Sequence, residues 1–238
     1  MNQDRQPKLA ELAKEVPARE AWRVFGIMSE LVEATERLVG IHPAVSVFGS
    51  ARVKPGTQYY ELAEETARRL SAAGFAVVTG GGPGLMEAAS KGAYGGGGLS
   101  VGLTIDLAGE QPAVRYQHIS LRFKHFFTRK AMFAKVATAF IVLPGGYGTL
   151  DELFEALTLV QTGKTRHMPI ILVHEPYWRG LITWMRERLA GEGMIDPGDL
   201  DLVQVYDQPA QVVSAIFAFY EKRGFAPSPA EREVLLNL

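Results

Sequence analysis

The sequence contains no cysteine among its 238 residues, which excludes disulfide bonds, thiolate catalysis and cysteine-ligated zinc. It also has no surplus of either charge. Its 25 basic residues balance 26 acidic ones, and the formal net charge is −1 at pH 7. This balance excludes a basic surface over the whole chain, which non-specific nucleic-acid binding would need, although a local basic patch stays open.

Long apolar runs are absent as well. The longest, such as residues 138–143 and 168–173, have the length of a strand rather than the roughly 20 residues of a membrane span. The first 20 residues mix both charge signs and contain no apolar core of a signal peptide. We therefore expect no secretion signal, no membrane partner and a cytoplasmic location.

Segments with helical spacing alternate along the chain with short, continuous apolar runs that are typical of strands buried on both faces. This alternation predicts an α/β fold with a doubly wound, mostly parallel sheet of about seven strands and helices on both faces. We expect an N-terminal helical extension over residues 1–40, a single domain over 41–223 and a C-terminal tail over 224–238. In such sheets a ligand binds beyond the carboxyl ends of the strands, so the loops there are the first candidates for a site.

Glycine is abundant, with 25 residues, or about one in ten against the usual 7% or so. Gly80, Gly81 and Gly82 follow one predicted strand, and a helix is expected to begin at Pro83. Glycine backbone and the free N–H groups of a helix start together favour an anion pocket. The segment matches neither GxGxxG nor the P-loop pattern. A tight turn without a ligand remains the alternative.

A second glycine loop follows the predicted strand at residues 138–144 and contains Gly145, Gly146 and Gly148. Thr149 and Glu152 have the spacing of a capping box at the start of a helix, and a capping box requires no ligand. It does not explain the three glycines, however. We therefore expect a ligand to lie against this backbone.

In this interpretation Glu152 lies in the first turn of its helix, where the helix dipole stabilises a carboxylate. Unless burial outweighs the dipole, Glu152 is then ionised at neutral pH. An ionised carboxylate is suited to act as a base or a charge stabiliser rather than as a proton donor.

Between the two loops, residues 115–135 carry six basic side chains and no acidic one, with phenylalanines interleaved. Three interpretations are open: a nucleic-acid contact, a solvated helix face over an aromatic core, or one or two cations that reach an anion at the glycine loops. Arg129 and Lys130 are the candidates for the third. His118, His125 and His167 show no metal-ligand spacing, so we expect no metal site.

Four segments resemble the Lonely Guy (LOG) family, long mislabelled as lysine decarboxylases. Residues 144–152 (PGGYGTLDE) fit its PGGxGTxxE signature, and residues 80–86 (GGGPGLM) resemble its GGGxxGLM segment. Residues 48–52 (FGSAR) resemble the loop after its first strand. Residues 126–133 (FFTRKAMF) are similar to its MHxRK segment, with Phe126 and Phe127 where the family has Met-His. The segments occur in the family's order.

The resemblance implies a Rossmann-like fold, homodimers or larger assemblies, and no cofactor. It implies hydrolysis of the N-glycosidic bond of a purine nucleoside 5′-monophosphate, AMP or an N6-modified AMP, to free base and ribose 5-phosphate. By motif position Arg129 and Glu152 are the catalytic pair, and Lys130 contacts the substrate. The remaining implied substrate-binding residues are Ser50, Gly81, Gly82, Gly84, Gly145, Gly146, Tyr147, Gly148 and Thr149.

Other functions remain as alternatives. The same loops could hold a nucleotide or a phosphate-bearing cofactor of the molybdenum-cofactor type without turning it over. A pyridoxal-phosphate decarboxylase would need a lysine placed for a Schiff base, and no lysine in the sequence stands out for that role. Nucleic-acid binding is disfavoured by the charge balance.

Overall fold

A computed structural model describes residues 5–106, 115–221 and 224–236, and seven parallel strands in this part of the chain form one sheet. The strands are β1 (Ala44–Phe48), β2 (Ala76–Thr79), β3 (Ser100–Ile105), β4 (Ile119–Phe123), β5 (Ala137–Val142), β6 (Ile170–Val173) and β7 (Val203–Tyr206). The α-helices are α1 (Arg5–Leu38), α2 (Gln58–Ala72), α3 (Leu85–Gly95), α4 (Phe126–Val136), α5 (Tyr147–Gln161), α6 (Glu175–Trp184), α7 (Pro209–Tyr220) and α8 (Pro229–Leu236), with a π-helical segment at Met185–Ala190 and a 3₁₀ segment at Pro197–Leu202. The predicted α/β class is confirmed.

The strand order is β4-β3-β2-β1-β5-β6-β7. The chain moves outward from β1 to β4 and then returns to the other side of β1, where β5 pairs with it. The boundary between β1 and β5 is therefore the switch point of this doubly wound sheet. Ligands bind at such a point, beyond the carboxyl ends of the strands.

The central strands are buried along their whole length, as their continuous apolar sequences predict. Every residue of β1, β2, β5 and β6 is buried. Val45, Val77 and Ile141 are fully buried, and burying each such side chain contributes about 1.5–3 kcal/mol relative to leaving it exposed. This core fixes the strand ends from which the candidate site is built.

The chain divides into a first compact unit that ends at Val39 and a second that begins at Gly40. The first unit contains α1, on which Trp22, Phe25, Met28 and Val32 are exposed at intervals of three or four residues. Within the described ranges no helix is both long and apolar enough to cross a membrane. The domain boundaries expected after residues 40 and 223 stay predictions.

Candidate active site

The loops that follow β1, β2 and β5 meet at the switch point. Ser50, just after β1, connects the other two through its backbone. Its N–H donates to the carbonyl of Pro144 over 3.0 Å, and its carbonyl accepts from the N–H of Leu85 over 2.9 Å. Both predicted glycine loops are therefore held against the same residue.

The first glycine loop ends later than predicted. The helix begins at Leu85 with Gly84 as its N-cap, so the predicted start at Pro83 is wrong. Gly84 has a φ of +72°, and a Cβ there would collide with the carbonyl oxygen of Ser50. The loop packing itself thus requires glycine at this position, because other residues rarely adopt this backbone conformation.

Gly80, Gly81 and Gly82 lie between β2 and this helix and approach α4. A Cβ on Gly80 would be 4.0 Å from Nη1 of Arg129. On Gly82 it would be 2.7 Å from the side chain of Met86. The structure therefore brings this loop next to one member of the predicted catalytic pair.

The second glycine loop leads directly into α5, which begins at Tyr147 with Gly146 as its N-cap and no side-chain cap. The predicted capping box of Thr149 and Glu152 is therefore wrong, because the helix starts two residues earlier than Thr149. Thr149 is buried and packs against Gly145. The Tyr147 side chain is 93% exposed.

Two glycines of the second loop have no steric reason within the protein to be glycine. A Cβ on Gly146 or Gly148 would meet no atom within 4 Å, and neither has a positive φ. Gly145 is different, because a Cβ there would collide with Thr149. The loop is anchored from the far side by the Tyr177 hydroxyl, which donates to the Gly145 carbonyl over 2.7 Å.

Arg129 and Glu152 are brought together as predicted. Nη2 of Arg129 lies 3.8 Å from Oε1 of Glu152, and their side chains are only 14% and 9% exposed. The guanidinium also lies over the rings of Phe126 and Phe133, with its central carbon 5.4 and 5.8 Å from the two ring centroids. Its Nε is buried and has no hydrogen-bond partner among the described residues. The pair thus places a cation beside an ionisable carboxyl group in a nearly dry environment.

Burial raises the pKa of Glu152 to about 7, although the nearby charges of Lys130 and Arg129 lower it. Glu152 lies in the second turn of α5 rather than the first, so the expected dipole stabilisation is weak at this position. Burial thus outweighs the terms that favour the anion, and Glu152 is only partly ionised near neutral pH. Burial also lowers the pKa of Arg129, although a guanidinium stays protonated in proteins.

Lys130 points its ammonium at carboxylates of α5. Its Nζ lies 2.8 Å from Oε2 of Glu155, 3.0 Å from Oδ2 of Asp151 and 3.9 Å from Oε2 of Glu152. Sequence reasoning missed Asp151 and Glu155, although three acidic residues between positions 151 and 155 could have indicated a cation partner. It also missed Tyr177, for which the sequence carries no signal before the fold is known.

The basic stretch of residues 115–135 separates into two kinds of side chain. Arg129 and Lys130 are 14% and 15% exposed and face α5, whereas Arg122 is 76% exposed and pairs with Asp106 over 3.4 Å. The first two therefore belong to the candidate site and Arg122 to a solvated face. Across the described ranges, His, Asp and Glu side chains form no group of three or more that could hold a metal ion.

A family model described as "Possible lysine decarboxylase" matches residues 86–216, which include α4 and both helix-borne members of the charged pair. The chain belongs to this family, that of the Lonely Guy proteins. A relative from Rhodococcoides fascians, named cytokinin riboside 5′-monophosphate phosphoribohydrolase, is 33% identical over 176 residues, or 73% of this chain and 88% of its own. An Arabidopsis thaliana protein of the same name is 33% identical over 164 residues, or 64% and 71% of the two chains.

Solved structures share the fold of this family member. The molybdenum cofactor carrier protein of Chlamydomonas reinhardtii superposes with a TM-score of 0.56 at 21% identity, over 76% of this chain and 99% of that one. The molybdenum cofactor binding protein of Rippkaea orientalis gives a TM-score of 0.56 at 20% identity, over 74% and 94% of the two chains. At these identities the likeness concerns the fold alone, and it confirms the Rossmann-like α/β architecture.

Proposed function

We propose that the protein hydrolyses the N-glycosidic bond of a purine nucleoside 5′-monophosphate, AMP or an N6-modified AMP, to free base and ribose 5-phosphate. The observation that carries the proposal is the buried pair of Arg129 and Glu152 between two glycine loops. It occurs in a chain that is 33% identical to a named phosphoribohydrolase over 88% of that relative.

The second glycine loop is suited to the 5′-phosphate. The N–H groups at the start of a helix lack partners one turn earlier, which leaves those of Tyr147 and Gly148 for a ligand, whereas the N–H of Thr149 donates to the Gly146 carbonyl over 3.0 Å. The N-cap, Gly146, supplies no side chain that would compete for them. The space beside Gly146 and Gly148 lets a phosphate approach the backbone closely. Ser50, Tyr147 and Thr149 belong to the same proposed subsite, and Gly81, Gly82 and Gly84 form the facing loop.

The charged pair is suited to the bond that breaks. Breaking the bond between C1′ and the purine nitrogen builds positive charge on the ribose, as in glycoside hydrolysis. The Glu152 carboxylate can stabilise that charge or take the proton from the attacking water. The hydroxyl of the water adds to C1′ and its other proton goes to the departing base. The atoms of the hydrolysis therefore balance without a cofactor. Arg129 holds the carboxylate by charge from 3.8 Å away.

Incubation of the purified protein with AMP and a panel of other nucleoside monophosphates tests the proposal, with free base and ribose 5-phosphate measured by chromatography. We expect adenine release that Glu152→Gln and Arg129→Ala abolish while circular dichroism shows an intact fold. Glu64→Gln, which breaks a 2.8 Å ion pair with Lys91 away from the site, is the matched control. Undiminished turnover in either site variant would exclude that residue from catalysis.

The same experiment decides the alternative of a binding protein. A nucleotide that raises the melting temperature without forming product would indicate binding without turnover. In that case the loops would hold their ligand as proposed and the catalytic assignment would fail.

We further propose that the protein acts in the cytoplasm as a homodimer or a larger homo-oligomer. The exposed apolar stripe of Trp22, Phe25, Met28 and Val32 on α1 supports self-association, since such stripes mark interaction surfaces. Light scattering coupled to size exclusion tests the assembly, with Trp22→Glu as the disrupting variant. A monomer at micromolar concentration would contradict it.

A further inference from the structure

The ammonium group of Lys130 is paired with carboxylates and is not open to an anionic ligand. Its Nζ is within 3.0 Å of both Asp151 and Glu155, and its side chain is only 15% exposed. An ammonium has three donors, and these two carboxylates occupy two of them at short range. Lys130, Asp151 and Glu155 together carry a net charge of −1, which would repel a phosphate dianion. This environment is unfavourable for a direct phosphate contact.

The Lys130 ammonium instead lies next to the Glu152 carboxylate. Oε2 of Glu152 lies 3.9 Å from Nζ of Lys130, whereas Oε1 lies 3.8 Å from Nη2 of Arg129. The two cations, on successive residues of α4, therefore face different oxygens of one carboxylate. Arg129 is the one that also approaches the first glycine loop, beside Gly80.

We propose that Lys130 is a positioning residue that acts through Glu152. Held by Asp151 and Glu155, its ammonium orients the Glu152 carboxylate and favours the ionised form, and it does not contact the substrate. The inference rests on the proposed function. The substrate contact that the family resemblance implies for Lys130 is replaced by a role inside the protein.

Removing a cation near Glu152 and removing an acidic neighbour should shift the pKa of Glu152 in opposite directions. The charged groups that face it are Arg129 and Lys130 from α4 and Asp151 and Glu155 from α5. Burial raises the pKa of Glu152, Lys130 is the stronger of the two cations that lower it, and both acidic neighbours raise it. Removing the ammonium should therefore make Glu152 harder to ionise, and removing Glu155 should make it easier.

The test compares Lys130→Met and Glu155→Gln with Lys91→Met, which removes a lysine from an equally short ion pair outside the site. Asp151→Asn, at a carboxylate that is 60% exposed, is a milder variant in case Lys130→Met fails to fold. The pH dependence of kcat, the KM for AMP and the affinity for ribose 5-phosphate are measured for each. A ¹³C NMR titration of the Glu152 carboxyl, assigned with Glu152→Gln, gives a readout independent of turnover.

We expect Lys130→Met to move the acid limb of kcat and the Glu152 titration upward by about one pH unit or more, and Glu155→Gln and Asp151→Asn to move both downward. In these three site variants, the KM for AMP and the affinity for ribose 5-phosphate should equal those of the control Lys91→Met. Weakened ribose 5-phosphate binding with an unmoved titration in Lys130→Met would overturn the inference, and so would shifts of the same sign in all variants. If the wild type cleaves no nucleoside monophosphate, the proposed function fails, and the NMR titration still decides the role of Lys130.

Discussion

Arg129 and Glu152 face each other from α4 and α5 with 3.8 Å between Nη2 and Oε1, and neither side chain is more than 14% exposed. That distance is too long for a hydrogen bond, so the two groups attract each other by charge alone. The arrangement leaves donors and acceptors of both side chains for a ligand. It also places an ionisable carboxylate where water is scarce, with consequences for stability as well as for catalysis.

Glu152→Gln should stabilise the fold at alkaline pH. The pKa of Glu152 is raised from 4.5 to about 7 by burial, so the stability of the wild type falls as pH rises from about 4.5 to about 7. A shift of this size corresponds to about 3 kcal/mol, and glutamine mimics the protonated form. Urea unfolding should show the variant more stable by about that amount at pH 8 and by much less at pH 5. Equal stability differences at both pH values would contradict the prediction.

The rate of base release should fall as the pH is lowered through about 7. Glu152 is proposed to act as the anion, and its pKa of about 7 in the free protein sets the acid limb of kcat/KM. A profile of kcat/KM for AMP between pH 5 and pH 9 measures it. A profile of kcat/KM with no acid limb between pH 5 and pH 9 would count against Glu152 as the reacting anion.

Gly148→Ala should separate stability from function. Gly148 lies in the first turn of α5, and a Cβ there meets no protein atom, so alanine should stabilise the helix by up to about 1 kcal/mol. The added methyl group would occupy space proposed for the phosphate, so KM for AMP should rise. Gly180→Ala is the control, because Gly180 lies within α6 with equally open surroundings. An unchanged KM in Gly148→Ala would place the phosphate elsewhere.

Tyr177→Phe should loosen the second glycine loop. The variant loses the 2.7 Å hydrogen bond to the Gly145 carbonyl, which contributes about 1 kcal/mol or less at this partly exposed position. Faster amide exchange over residues 145–149 and a higher KM for AMP are the expected results. Tyr206→Phe removes a hydroxyl contact to Gln204 outside the site and should change neither quantity. Exchange that is equally fast in both variants would argue against the anchor.

Much of the fold could be predicted because its signal is local. A strand such as β5 is buried at every position, so its apolar run alone reveals it. Both glycine loops follow strand ends, and parallel strands place those ends at one edge of the sheet. The pairing of Arg129 with Glu152 came from the family resemblance rather than from spacing. The structure places the two side chains 3.8 Å apart, and their catalytic role stays a prediction.

The errors arose where packing decides the outcome. Thr149 and Glu152 have capping-box spacing, yet Gly146 ends the loop first and the helix starts at Tyr147. Burial raises the pKa of Glu152, and the two cations that lower it lie on α4, more than ten residues away in sequence. The carboxylate partners of Lys130 could not be predicted either, because a contact between two helices does not follow from the sequence of either helix alone.

The backbone bonds of Ser50 separate the framework of the site from its chemistry. Its N–H and carbonyl hold the two glycine loops, while its hydroxyl accepts only a local bond from the N–H of Arg52 over 3.1 Å. Main-chain bonds persist when a side chain is exchanged. Position 50 can therefore change its side chain without dismantling the loops, so its side chain can alter the proposed phosphate subsite while the framework of the site stays in place.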